Sequence, residues 1–300
     1  MTTTHRLMPC VYRRGLAAAA LLVGAAAFCG IGNNTARAQQ STDMPAAVQP
    51  GFKVTVVREL IHTMRYDDDR SAAAGGLGQY TEITAETTLA YGLRRDLTLM
   101  LHLPVKRRFN DDSADRVGVD DGLGLQDPRV MMQHRIWQND ETGINTQRAV
   151  VQLGAELPLG ADEFSSDSLD PIVGLAYTRI RGKHGLNASA QWKFTTDDGD
   201  AAATGFGDAI HDALMVTGSY LYRIAPRSYT IDTTGSHYVQ FQALSFYETN
   251  GDAAWHFAPG YLYEGKDWAF EASVHLPIAQ DLDDRPESEW GLSLGLRYLF

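Results

Sequence analysis

The chain ends in the stretch WGLSLGLRYLF, residues 290–300. Successive side chains of a β-strand point to opposite faces, so alternation of apolar and polar residues is typical of a strand with two different faces. We therefore predict that the C-terminal segment is such a strand, with one apolar face. The apolar face holds Trp290, Leu292, Leu294, Leu296, Tyr298 and Phe300, and the other face holds Gly291, Ser293, Gly295 and Arg297, with Leu299 as the exception.

The same alternation recurs in LTLMLHLPV (97–105), RAVVQLGAELPL (148–159), GLNASAQWKF (185–194) and DWAFEASVHLPI (267–278). An even number of such strands would bring both termini to one end, as in bacterial outer-membrane barrels. We therefore predict an all-β fold, a transmembrane antiparallel up-and-down β-barrel of about 12 strands. The predicted strands lie near 53–65, 80–93, 96–109, 126–138, 145–159, 168–182, 185–196, 208–223, 236–249, 253–264, 267–280 and 289–300.

The connections between these strands differ in length and charge. Those after even-numbered predicted strands are mostly short, with 224–235 as the longer exception, and those after odd-numbered strands are mostly long and acidic. Short periplasmic turns and long external loops are the asymmetry of outer-membrane barrels. We expect 110–125 to constrict the pore. The acidic connections lie at 66–79, 110–125, 160–168, 197–207, 250–252 and 281–289.

Residues 1–38 have the three parts of a secretory signal peptide: a basic start, an apolar stretch at 16–28 and a small-residue cleavage site at 36–38. We predict that this segment is removed on export. Residues 39–52 would then form a flexible periplasmic N-terminal lead, and residues 53–300 would form the barrel. The formal net charge of −11 becomes −15 when the four arginines of the removed segment are lost.

Two segments of the chain resemble a known family. DGLGLQDPRVMMQHRIW (121–137) is similar to a segment in which a Gly-x-Gly-Asp motif precedes an alternating strand, and VVQLGAELPLGADEF (150–164) is similar to a strand that ends in Pro-Thr/Ser-Gly. Both patterns are those of the outer-membrane β-barrel family of meta-pathway phenol-degradation transporters. Here Gln126 intervenes before Asp127, and Leu159 replaces the small hydroxyl residue. The resemblance implies an outer-membrane barrel that passes aromatic or other small molecules.

If the apolar faces meet lipid, the polar faces line the lumen. Buried charges need partners, so these residues form either a ladder of ion pairs that holds the strands in register or the lining of a wet pore. Arg129, Arg135 and Arg297 are favoured as pore-lining cations, because a guanidinium can pair in one direction and be solvated in the other. The candidate pore-lining residues are Glu82, Glu86, His102, Lys106, Arg129, Arg135, Glu156, Lys193, Arg223, Glu271, His275 and Arg297.

Other kinds of chemistry have little support in the sequence. Both cysteines, Cys10 and Cys29, lie in the predicted signal peptide, so we expect no disulfide in the mature chain. His134 falls on the outer face, but no Gly-x-Ser-x-Gly elbow and no obvious serine partner accompany it. We therefore predict no enzymatic activity, no metal site and no cofactor. Net acidity argues against nucleic acid, whose binders concentrate positive charge.

We expect a monomeric outer-membrane channel, porin-like, for passive passage of small aromatic or hydrophobic molecules. The alternative is a structural or adhesive surface barrel with a plugged lumen and functional acidic loops, and a third hypothesis is a soluble periplasmic β-protein. The expected partners are a small-molecule solute, outer-membrane lipid and lipopolysaccharide, with divalent cations bridging the acidic loops to its phosphates. The barrel-assembly machinery is a further partner, and Tyr298 and Phe300 would be its recognition signal.

Overall fold

The computed structural model describes residues 45–68, 78–110, 122–142, 144–161, 164–196, 211–230, 233–283 and 285–300. The predicted signal peptide and both cysteines lie outside these residues. In the described part of the chain, no helix is long and apolar enough to cross a membrane. Within the same residues the secondary structure is β1 Thr55–Asp68, β2 Gly78–Arg94, β3 Leu97–Asn110, β4 Gly122–Leu125, β5 Arg129–Thr142, β6 Asn145–Glu156, β7 Asp170–Arg181, β8 His184–Lys193, β9 Ala213–Ala225, β10 Ser236–Glu248, β11 Ala253–Glu264, β12 Trp268–Asp281 and β13 Glu287–Leu299.

The strands form a closed antiparallel barrel. Apart from β4, each strand pairs with the strands before and after it, so that β3 pairs with β5, and β1 pairs with β2 on one side and with β13 on the other, which closes the ring. The short strand β4 pairs with β3 alone among the described strands, so twelve strands complete the ring and β4 is an extra one. This confirms the predicted fold class and places the C-terminal stretch at the seam.

The predicted boundary between the loop at 110–125 and the strand at 126–138 is in part wrong, because residues 122–125 form the short strand β4 and the next strand, β5, begins only at Arg129. Both segments pair with the same strand, β3, and Gln126 continues the ladder between them by donating its N–H to the Pro104 carbonyl at 2.9 Å. The interruption follows from the next two residues. Pro128 has no N–H to donate to a ladder, and the Asp127 side chain is buried, 2% exposed, among hydrogen-bond donors.

The two surfaces of the barrel have the reverse polarity of a water-soluble protein. Gln152 and Gln240 are fully buried, whereas Leu175 and Ile278 are 56% and 66% exposed. Water-soluble proteins bury apolar residues and expose glutamine, so this outer surface suits lipid. The C-terminal stretch follows the same rule, because Arg297 and the small residues at alternate positions face inward and the apolar ones face outward. The prediction of its two faces is confirmed.

The barrel has two unlike ends. We call the end where β1 begins and β13 ends the terminal end, and the opposite one the loop end. At the terminal end most connections are short, for example 95–96, 182–183 and 265–267, but the connection from β9 to β10 covers 226–235. The longer connections at the loop end include most of the acidic residues noted in the sequence, and many of those lie outside the described residues.

Candidate functional site: the lumen of the barrel

The inner wall carries nearly all the residues predicted to line a pore. Arg135 lies apart from the others, at the terminal end, where its N–H bonds to the Asp96 carbonyl and its Nη2 donates to the Arg95 carbonyl. The others lie on the polar, inward side of their strands. Whether they line a path for solute stays a prediction. The inward-facing candidates are Glu82, Glu86, His102, Lys106, Arg129, Glu156, Lys193, Arg223, Glu271, His275 and Arg297.

Ion pairs inside the barrel reach across an intervening strand. Arg58 on β1 donates from Nε to Glu271 Oε1 on β12 at 2.7 Å, although β13 lies between them. Gly295 of β13 makes this possible, because a Cβ at that position would stand 2.5 Å from Glu271 Cγ. Sequence reasoning missed Arg58, because the apolar and polar residues of β1, TVVRELIHTMRYDD, alternate only weakly.

A second pair crosses β3 in the same way. Arg129 on β5 donates from Nη2 to Glu86 Oε2 on β2 at 2.6 Å, and His102 Nδ1 lies 2.9 Å from the other oxygen of the same carboxylate. Both oxygens of Glu86 are therefore held by side chains from the two following strands. The geometry fixes the register of three neighbouring strands as well as neutralising the carboxylate.

A third group extends these pairs around the wall. Lys193 on β8 lies 3.2 Å from Glu156 Oε2 on β6 and 3.9 Å from Asp170 Oδ2 on β7. Glu156 is directly opposite Arg129 in the β5–β6 register. Positive and negative side chains thus alternate along much of the inner wall. We call this set the charge belt, and it consists of Arg58, Glu86, His102, Arg129, Glu156, Asp170, Lys193 and Glu271.

Near the loop end, a separate group of three charged side chains forms ion pairs within the group. Glu82 accepts from both the Nε and the Nη2 of Arg108, at 3.0 and 2.7 Å, and lies 3.1 Å from Lys106 Nζ. The Arg108 guanidinium also lies over the rings of Tyr80 and Phe164, at 5.4 and 5.6 Å from their centroids. We call Glu82, Lys106 and Arg108 the loop-end triad. One carboxylate therefore serves two buried cations.

The two segments that carry the family resemblance meet at Asp127. Its Oδ1 accepts from the N–H of Leu159, the N–H of Gly160 and the Ser165 hydroxyl, and its Oδ2 accepts from the Ser166 N–H at 2.7 Å. The residues after β6 are thereby folded onto the β4–β5 junction. A carboxylate that accepts several such bonds can hold a local structure firmly. Sequence reasoning placed the motifs but gave Asp127 no role.

Residues 45–50, part of the segment expected to form a flexible periplasmic lead, lie within the barrel. We call them the inner lead. Ala46 and Ala47 are 2% and 0% exposed. Ala47 packs in one cluster with Val150 and Ala176, whose side chains face inward from β6 and β7. The chain before β1 therefore fills part of the lumen.

Two hydrogen bonds tie the inner lead to the wall. The Ala47 N–H donates to Thr178 Oγ1 at 2.9 Å, and the Gln49 side-chain amide donates to the Gln133 carbonyl at 2.8 Å. Thr178 in turn donates to Asn187 Oδ1 at 2.7 Å. The inner lead therefore narrows the lumen along the wall formed by β5 to β8.

Two other inward-facing histidines, His62 and His275, share one serine. Ser293 Oγ lies 2.7 Å from His62 Nδ1 and 2.9 Å from His275 Nε2. Ser293 is fully buried. Within the described residues, no three His, Cys, Asp or Glu side chains come together as a metal site.

Comparison with known proteins supports the fold of the chain. No protein-family model and no curated protein matches the chain. An outer membrane channel from Pseudomonas putida F1 is similar over 84% of this chain and 97% of its own, with 14% identity and a TM-score of 0.58. LpxR from Salmonella typhimurium, with 10% identity over 82% of this chain and 100% of its own, gives a TM-score of 0.45, too low to argue from. The resemblance to phenol-degradation transporters stays a prediction, and the chain has the fold of an outer-membrane β-barrel.

Proposed function

We propose that the protein is an outer-membrane channel for the passive passage of small molecules. The observation that carries this proposal is a polar, charged inner wall enclosed by an apolar outer surface. A barrel of twelve strands falls between those filled by side chains and the porins with wide aqueous channels. The lumen would therefore admit small solutes and exclude folded proteins.

The inner lead determines whether this channel is closed or open. Within the described residues, its contacts with the wall include two hydrogen bonds and one small apolar cluster, whereas a strand of the ring is hydrogen-bonded to a neighbour on each side. Each net hydrogen bond contributes about 1 kcal/mol, so the inner lead can leave without breaking the barrel. Passage would then require its displacement from the wall.

A structural surface barrel with a plugged lumen is the second candidate. The observation that favours it is obstruction from two directions: the inner lead lies along β5 to β8, and Phe164, 1% exposed, packs against the loop-end triad. In this candidate the acidic loops would carry the structural or adhesive function, and no solute would pass through the lumen. The two candidates differ in whether current can pass.

Planar-bilayer recording separates the two candidates. We expect the mature chain to give small or rare unitary currents, and a variant that lacks residues 39–50 to give larger and more frequent ones. Both proteins must first show heat-modifiable migration on gels, which establishes that each barrel is folded. Absence of current from both folded proteins would rule out the channel and favour the plugged barrel.

The expected partners belong to this proposal. Outer-membrane lipid and lipopolysaccharide would surround the apolar surface, and the barrel-assembly machinery would recognise Tyr298 and Phe300 at the end of the last strand. Both side chains are exposed on the outer face, at 44% and 49%, which supports their access to such a partner. We propose that the protein acts as a monomer, without cofactor, metal or nucleic acid, and that it performs passage and not catalysis.

A further inference from the structure

Arg223 differs from the other cations of the inner wall. Its side chain is 3% exposed, and its Nε and Nη1 are buried without a hydrogen-bond partner. In the described part of the chain, no carboxylate forms an ion pair with it. A buried cation is costly unless it is paired, whereas Lys106, Arg108 and Lys193 all meet this requirement with carboxylates.

One aromatic ring covers the guanidinium of Arg223. The centroid of Tyr229 lies 3.9 Å from Arg223 Cζ. Tyr229 belongs to the 226–235 connection, the long one at the terminal end, and its hydroxyl lies 2.8 Å from that of Tyr238 and accepts from Ser236 Oγ at 3.0 Å. Because this connection is long, it can place the Tyr229 ring over the guanidinium of Arg223.

Apolar side chains stand beside the same cation. Arg223 is directly opposite Tyr238 in the β9–β10 register. Tyr238 forms a fully buried cluster with Leu221 and Leu262 on the neighbouring strands. A cation next to an apolar wall matches a ligand that has one anionic group and an apolar body. An inorganic anion has no apolar part to contact that wall, so it fits less well.

We propose that Arg223 binds the carboxylate of a small organic acid at the terminal end of the lumen, and that the Tyr229 ring covers the cation when no such anion is bound. The inference rests on the proposed function, because it names a solute class for that channel. A guanidinium and a carboxylate form two parallel charge-assisted hydrogen bonds. A ring face supplies only the weaker attraction of its quadrupole, so the carboxylate displaces the ring.

The test uses benzoate as the probe and the folded mature protein in detergent, with binding followed by ligand-observed NMR. Benzamide, which has the same shape and no charge, serves as the comparison ligand. We expect wild-type protein to bind benzoate and not benzamide, and Arg223→Gln to weaken benzoate binding about tenfold or more. Arg179→Gln, which removes an exposed cation from the outward side of β7, is the matched control and leaves binding unchanged.

Two further variants keep the test decisive. Arg223→Lys retains the charge but loses the planar fork, so binding falls to a value between wild type and Arg223→Gln. Tyr229→Ala removes the competing ring and binds benzoate at least as tightly as wild type. Equal binding of benzoate by wild type and Arg223→Gln, equal binding of benzamide and benzoate, or loss of binding in Tyr229→Ala would each overturn the proposal.

The benzoate-binding experiment and the conductance experiment have independent outcomes. Binding needs access only from the terminal end, where the 226–235 connection lies, and no current has to pass. Benzoate binding without conductance would rule out the channel and leave the site intact. Conductance without benzoate binding would remove the site and leave the channel intact.

Discussion

The loop-end triad and Arg223, near the terminal end, differ in how their buried cations are compensated. Near the loop end, Lys106 and Arg108 share the carboxylate of Glu82, at 3.1 and 2.7 Å. At the terminal end, Arg223 has a tyrosine ring at 3.9 Å, and among the described residues no carboxylate pairs with it. The cost of burying a cation is therefore met by a carboxylate in the loop-end triad and is not met by one at Arg223.

This difference separates structural charges from candidate binding groups. A cation that already pairs with a buried carboxylate has little to gain from a solute, and its removal leaves an uncompensated partner. A cation that is buried and unpaired gains most from an incoming anion. Pairing thus identifies the loop-end triad as a structural element and Arg223 as the place where a ligand would be stabilised.

The largest expected effect is at the loop-end triad. Glu82→Ala leaves Lys106 and Arg108 buried without their carboxylate, and we expect the free energy of unfolding to fall by about 3–5 kcal/mol. The measurement is equilibrium urea unfolding in lipid vesicles. Glu289→Ala is the matched control, because its ion pair with Arg65 is largely solvent-accessible and such pairs contribute about 1 kcal/mol or less. Equal losses in the two variants would contradict a structural role for the triad.

The smallest expected effect is at the terminal end. Arg223→Gln removes a contact with the Tyr229 ring and also removes an unpaired buried charge, and these changes oppose one another. We expect the free energy of unfolding to change by less than about 1 kcal/mol in either direction. The same urea titration measures it. A loss as large as that of Glu82→Ala would mean that Arg223 is a structural cation, and the contrast between the loop-end triad and Arg223 would fail.

The sequence predicted the barrel well because its main signal is local. A period of two within one strand, as in the C-terminal stretch, determines which side chains face lipid and which face inward, whatever the neighbouring strands are. The inward positions of Glu86, Lys193 and Glu271 follow from this. The short strand β4 was missed, because its four residues, GLGL, are few and half of them are glycine, a composition typical of a loop.

The partners of these residues could not be predicted from the sequence. Arg58 and Glu271 lie 213 positions apart and meet only because β1 and β13 close the ring and Gly295 leaves space between them. The position of the inner lead could not be predicted for a different reason. A short segment with two alanines and two prolines has no periodicity, and its burial depends on a cavity that exists only after the barrel forms.

A reversible covalent lock on the inner lead tests the central claim most directly. Residues 39–300 contain no cysteine, so Ala47→Cys with Ala176→Cys introduces a single pair within the buried cluster that joins the inner lead to β6 and β7. The measurement is planar-bilayer conductance of the double variant before and after reduction, with each single variant as a control. We predict that the oxidised protein is closed, that reduction restores unitary currents, and that the single variants do not respond. Equal currents in the oxidised and reduced protein would contradict a lumen that conducts only when the inner lead leaves it.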